Sequence, residues 1–128
     1  MNENIKLKIY GVVTVGAKGQ IIIPKECRED LNILVGNRYP IADIEQKAFA
    51  LGVNIKNICK ENLGFKLEDI GEVSIGSKYQ FVIPSFLRKD LGISVGDNLI
   101  TIGKEKKGLG FIKNDNIDFL FEYIKENM

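Results

Sequence analysis

What most constrains this chain is that it matches itself at a fixed spacing of 60 residues. Residues Gly11–Tyr39 read GVVTVGAKGQIIIPKECREDLNILVGNRY and Gly71–Leu99 read GEVSIGSKYQFVIPSFLRKDLGISVGDNL, and the two align without a gap. Thirteen of the 29 paired positions are identical, among them Gly16, Lys18, Gln20, Pro24, Arg28 and Gly36. Chance would give about two. The chain is an internal duplication. One copy of about 60 residues is marginal alone, and a unit that cannot cover its own apolar face is completed by its neighbour. The first repeat (1–64) and the second (65–128) are therefore expected to interleave into one compact domain with an internal pseudo-twofold axis.

Each copy has the same local grammar. Val12–Val15 and Val73–Ile75 are β-branched strand material, and Gly16–Gly19 supplies a turn. A second strand follows, Gln20–Ile23 or Gln80–Ile83. Pro24 and Pro84 then hold the preceding residue extended and open a short helix. The first helix runs from Pro24 to Leu31 with Cys27 and Leu31 facing inward, a task that Phe86, Leu87 and Leu91 share in the second copy. Asn32 and Gly92 follow, the residue types that best accept a left-handed cap. Turns at Val35–Asn37 and Val95–Asp97 lead to another hairpin. In copy two its arms are Leu99–Gly103 and Leu109–Lys113. In copy one they are Ile41–Glu45 and Ala48–Leu51, where Pro40 restricts the strand start to an edge or a bulge. Terminal helices are expected over Asn54–Leu63 and Asn116–Glu126. The expected fold is mostly β with short α-helices, a closed barrel made within one chain.

Composition excludes more than it identifies. The 128 residues include no His, which removes Ser-His and Cys-His nucleophile pairs and the usual neutral-pH proton shuttle. Cys27 and Cys59 have no second pair, so no four-cysteine metal site forms, and neither cysteine reads as anything but a small buried hydrophobe. No nucleotide loop and no convergent acid cluster is present, so no metal, cofactor or catalytic residue is assigned and the chain does not read as an enzyme. No apolar run reaches the roughly 20 residues of a membrane span, and the amino terminus lacks a signal-peptide block. A cytoplasmic protein without membrane contact is the default expectation.

The strings GAKGQIIIPKECREDLNILVGN and GSKYQFVIPSFLRKDLGISVGD resemble the strand–turn–strand–Pro–helix core of the AbrB/MazE/SpoVT family of swapped-hairpin DNA-binding proteins. The resemblance covers residues 11–51 and 71–113 and occurs twice in the same register. In that family two chains each contribute one unit to an interlocked barrel. Here the resemblance implies the same swapped-hairpin barrel formed by tandem fusion, with transcription regulation as the function and double-stranded DNA as the partner. Antitoxins belong to the same family, so a module that binds a toxin protein and autoregulates its operon is the alternative.

Carried over by motif position, the residues implied to touch DNA are Lys18 and Lys78 in the turns, Gln20 and Gln80 at the start of the second strands, and Arg28 and Arg88 on the helices. Lys25 and Lys89 are each present in one copy, and Thr14 and Ser74 are placed to bond phosphate. Lys and Arg neutralise phosphates, and Gln can pair with an adenine edge. Between Ile5 and Arg28 five cations face one anion, Glu26, although the net charge of the chain is only +1. The competing structural reading has Arg28 and Arg88 simply paired with Glu29, Asp30 or Asp90 on the surface. Many family members carry Arg where this chain has Gln20 and Gln80, and Tyr79 replaces the turn glycine Gly19. These departures imply unequal halves, and with them modest affinity or an operator that is not a perfect palindrome. Finally, Ile117, Leu120, Phe121 and Ile124 line one helix face, a candidate homodimer surface.

Overall fold

The computed structural model describes residues 7–55, 65–104 and 106–126. Two repeats of the same element order are followed by a final helix. The first comprises β1 (Leu7–Thr14), β2 (Gln20–Ile22), α1 (Lys25–Leu31), β3 (Arg38–Ile44) and β4 (Ala48–Gly52). The second comprises β5 (Leu67–Ser74), β6 (Gln80–Val82), α2 (Ser85–Leu91), β7 (Asn98–Lys104) and β8 (Gly108–Lys113), and α3 spans Ile117–Glu126. The expected helix Asn54–Leu63, with Cys59, lies almost wholly outside the described residues.

Strand pairing crosses between the repeats. Six strands form an antiparallel sheet in the order β1-β7-β8-β4-β3-β5, and β2 pairs with β6 in a separate two-stranded ribbon. Among the described residues, only the β3–β4 and β7–β8 hairpins pair within a repeat. Every other ladder joins one repeat to the other: β1 with β7, β5 with β3, β4 with β8 and β2 with β6. The expected closed barrel is not what forms. The sheet ends in two outer strands, β1 and β5, which do not pair with each other. Nor do β1 and β2 make a hairpin, because the turn between them carries the chain out of the sheet into the ribbon.

The first strands also run longer than their β-branched cores, starting at Leu7 and Leu67. Each contains a bulge at the same place, where Tyr10–Gly11 and Ile70–Gly71 break the register against β7 and β3. Gly11 (φ +113°) and Gly71 (φ +116°) hold a backbone conformation that side chains rarely adopt, which explains the identity of this position in both copies. Pro40 is not on an edge strand, since β3 lies between β4 and β5. It sits beyond the last β3–β4 pair, Ile41–Leu51, so only β5 pairs with it, while Gly52 of β4 lies against its ring.

Two cores occupy the two faces of the sheet. On one face the sheet packs against the ribbon and α1 and α2, burying Val13, Ile21, Ile23, Cys27, Ile41, Phe49, Phe81, Leu87 and Phe111 among others. Pro24 and Pro84 precede the helices, and Asn32 (φ 54°) and Gly92 (φ 66°) end them in the left-handed conformation. Cys27, Leu31, Leu87 and Leu91 face inward, but Phe86 is 52% exposed. It lies one residue before Leu87, rotated toward solvent, at the position Glu26 holds in the first repeat. On the other face, α3 covers Ala42, Ile44, Ala48, Ala50 and Ile112 with Leu120, while Ile117, Phe119 and Ile124 pack at the margin. The expected homodimer face is thus used inside the molecule: Leu120 is buried, Ile117 and Ile124 are half-buried, and only Phe121 points outward. Among the described residues no helix is long and apolar enough to cross a membrane.

Two of the described residues buried on the first-core face are polar: Asp43, which accepts from the Gln46 N–H, and Thr101. Thr101 is fully buried and its Oγ1 has no hydrogen-bond partner among the described residues, whereas the equivalent residue 60 positions earlier is the buried Ile41. An unpaired buried hydroxyl costs free energy that an apolar side chain of the same shape does not. Thr101→Val is expected to raise stability by about 1 kcal/mol, read as a higher urea midpoint at unchanged slope.

Candidate nucleic-acid interface

Each repeat leaves its first strand through a turn, Gly16–Gly19 or Gly76–Tyr79. The Gly16 N–H donates to the Gln20 carbonyl and the Gly76 N–H to the Gln80 carbonyl, both at 2.8 Å. The chain then enters β2 or β6, which lie antiparallel with Ile21 opposite Phe81. Two bonds extend the ribbon: the Ile23 N–H donates to Tyr79 O and the Ile83 N–H to Gly19 O, both at 2.9 Å. Alternation decides what each face carries. Ile21, Ile23, Phe81 and Ile83 are buried, so Gln20, Ile22, Gln80 and Val82 face outward. Gln20 stands opposite Val82 and Ile22 opposite Gln80. Lys18 and Lys78 are exposed just beyond the two ends of the ribbon.

The two arginines tie the ribbon to the helices. The Arg28 Nε–H donates to Ile23 O at 2.8 Å, and the Arg88 Nε–H donates to Ile83 O at 3.0 Å. Each then reaches the turn of the other repeat. The Arg28 guanidinium lies 4.3 Å from the centre of the Tyr79 ring, and that of Arg88 lies where a Cβ on Gly19 would stand. The residue that differs between the turns, Gly19 against Tyr79, is therefore the one the opposite arginine covers. Among the described residues neither arginine pairs with Glu29, Asp30 or Asp90, so the surface ion-pair reading does not hold. Asp30 is engaged elsewhere, accepting from Tyr10 Oη at 2.8 Å and Lys8 Nζ at 3.0 Å.

The turns are also unequal in backbone. Lys18 (φ 62°) and Gly19 (φ 80°) are both left-handed in the first, and only Tyr79 (φ 60°) in the second. Gln80 folds back, its Oε1 accepting the Lys78 backbone N–H at 2.8 Å and its amide lying against Gly76. At Gly16 the corresponding neighbour is only the Gln20 carbonyl oxygen, at 3.5 Å, so the Gln20 side chain does not cover its turn.

The structure thus brings Lys18, Gln20, Arg28, Lys78, Gln80 and Arg88 to one ribbon. It does not bring Thr14 and Ser74 there. Both end outer strands and face away from the core that holds the ribbon. Thr14 Oγ1 bonds Asn98 Oδ1 at 2.8 Å, and Ser74 Oγ accepts from Arg38 at 2.8 Å. Lys25 and Lys89 are exposed on α1 and α2 at positions that the repeat does not relate. The outward Ile22 and Val82 had no separate signal, because each sits inside a continuous apolar run. Their only clue is that both copies keep an aliphatic residue there.

Charge near the first repeat is lower than its cation count implies. Lys8 pairs with Glu26 at 2.7 Å and Asp30 at 3.0 Å, and Glu26 ahead of Asp30 raises its pKa above the ordinary ammonium range. Tyr10 first and Lys8 second hold Asp30 below the usual carboxylate range. Burial pushes the Cys27 thiol up to about 12, so it stays protonated and unreactive.

No family model matches the chain, and no curated protein does. The chain is similar to the solution structure of PHS018 from Pyrococcus horikoshii, at 23% identity over 83% of this chain and 96% of that one, with a TM-score of 0.46.

Arg28→Ala removes the bond to Ile23 and the Tyr79 stack together, and thermal or urea unfolding should show a loss of about 1–3 kcal/mol. Arg28→Lys should recover only part of it, because an ammonium lacks the flat face and the Nε donor. The carboxylate of Asp30 is favoured in the folded state. Its contribution is present above the unfolded carboxyl range, about pH 3.9, and is lost as pH falls through the lower folded value. Wild type should therefore lose more stability on acidification through that window than Asp30→Asn, measured by denaturation at a series of pH values.

Proposed function

We propose that this chain is a DNA-binding transcriptional regulator that lays the outer face of the β2–β6 ribbon into the major groove. The single observation behind this reading is that ribbon: two glutamines and two aliphatic side chains on one solvent face, with a lysine beyond each end. A major groove about 12 Å wide admits a two-stranded β-ribbon. Glutamine can bond an adenine edge in a bidentate manner, and an aliphatic side chain suits a thymine methyl. Gln20 beside Val82 therefore favours an A·T pair, while opposite the folded-back Gln80 it is Ile22 that suits a thymine methyl. Lys18 and Lys78 neutralise flanking phosphates. Arg28 and Arg88, fixed through Nε, offer their terminal nitrogens to phosphate oxygens.

The cross-repeat strand pairing supports the family resemblance. In an intrachain version of a swapped-hairpin assembly, the first strand of each unit belongs to the partner's sheet. In this chain β1 runs along β7 and β5 along β3. Because Gln80 is committed to its own turn and Gln20 is not, the two halves read unequal half-sites.

Fluorescence polarisation with promoter and random duplexes at two salt concentrations tests this. Binding should weaken by about 0.9 log units per phosphate contact for each tenfold rise in salt. Lys18→Glu with Lys78→Glu should abolish binding while the circular dichroism spectrum stays unchanged, and Gln20→Ala should cost more sequence preference than Gln80→Ala. Normal binding by the folded double variant would remove the site assignment, and no binding by wild type would remove the function.

A further inference from the structure

The duplication provides an internal control for its own surface. β1 and β5 are repeat-related outer strands with the same length, bulge and register, yet they expose opposite chemistry. On the face that carries α3, β1 presents Ile9, 62% exposed, and Val12, 60% exposed. The same positions of β5 are Asp69 and Glu72. The β5 backbone accepts acids at both places, Glu72 with the help of Arg38 at 3.2 Å, whereas the repeat equivalent of Arg38 is Asn98.

The apolar surface is continuous with the core beneath α3. One row of paired residues crosses all six strands as Val12, Ile100, Ile112, Ala48, Ile44 and Leu67. The next starts at Ile9 and Ile102 and ends at Ala42 and Asp69. The middle of these rows lies under α3, and at the β5 end they close in Leu67, packed against that core, and in the charged Asp69, whereas at the β1 end Val12 and Ile9 stay exposed. Outer strands are commonly blunted by charge. Here β5 carries Glu68, Asp69 and Glu72, while the one charged side chain of β1, Lys8, is drawn to Glu26 and Asp30 on α1.

We infer that the Ile9–Val12 face of β1 is a self-association surface, and that its occupant is the same face of a second copy, related by a twofold axis. Charge selects this occupant. Docking β5 of another copy would desolvate Asp69, which no cation of β1 would receive, together with the exposed Arg38–Glu72 ion pair, against Ile9 and Val12. Docking β1 on β1 sets uncharged side chains against uncharged side chains, an isologous contact that closes at two copies. The bulge at Tyr10–Gly11 interrupts the strand edge, so side chains rather than a continuous ladder carry the contact. The patch is small, and a buried area below about 1,200 Å² corresponds to a reversible dimer. This inference does not depend on DNA binding.

Sedimentation velocity of the full chain from about 1 to 300 µM, where weak dimers dissociate and form, provides the test. Wild type should shift from monomer to dimer with concentration. Ile9→Asp with Val12→Glu, which copies residue types that β5 already accepts, should remain monomeric with an unchanged circular dichroism spectrum. Phe121→Ser, at the one exposed apolar residue of α3, should dimerise as wild type does. The inference is overturned if wild type stays monomeric throughout, if the acidic variant is folded and still dimerises, or if Phe121→Ser abolishes the association.

Discussion

The structure depends on strand exchange between the repeats. Neither repeat owns a complete sheet: β1 needs β7, β5 needs β3, and the sheet is joined at its centre by β4 against β8. The ribbon is the most extreme case. Three residues of β2 have no partner in their own repeat, and their buried side chain Ile21 lies opposite Phe81 of the other. A backbone hydrogen-bonding group left unpaired beside an apolar core is costly. Each repeat therefore satisfies its backbone and its apolar face in the same step, by pairing with the other copy. Such distant pairings make the fold rich in non-local contacts, which form late and together.

This dependence explains which residues the two copies kept in common. Gly11 and Gly71 hold the left-handed bulge, Pro24 and Pro84 open the helices, and Arg28 and Arg88 bond the carbonyl five residues before them. These positions carry special backbone or hydrogen-bonding demands. Other positions, on the surface and in the core, differ between the copies. Cys27 became Leu87 and Ile41 became Thr101, the latter leaving a hydroxyl unpaired. Lys8 became Glu68, so the Lys8–Asp30 ion pair belongs to one repeat only. Symmetric scaffolding and asymmetric surfaces follow from the same duplication.

The turns show the two tendencies meeting. Gly19 and Tyr79 occupy equivalent places, and each lies under the arginine of the opposite repeat. A glycine lets Arg88 approach the backbone, whereas a tyrosine ring gives Arg28 a flat face to stack upon. Both solutions anchor the ribbon, yet they leave different turn backbones and release only one of the two outward glutamines.

Taken alone, the sequence determined the duplication, the positions of most strands and of the described helices, their proline and left-handed boundaries, and most of the inward residues. All of these are local or periodic signals that repeat after 60 positions. It also marked Lys18, Gln20, Arg28 and their counterparts, because identity across the copies singles them out. Only the tertiary structure decided that the sheet stays open, that the second strands leave it for a ribbon, and that Thr14 and Ser74 lie away from that ribbon. It alone decided that Phe86 faces solvent while Ile117, Leu120 and Ile124 turn inward. Pairing partners are chosen by contacts between residues far apart in the chain, and a strand's own side chains state its two faces without naming the neighbour on either edge.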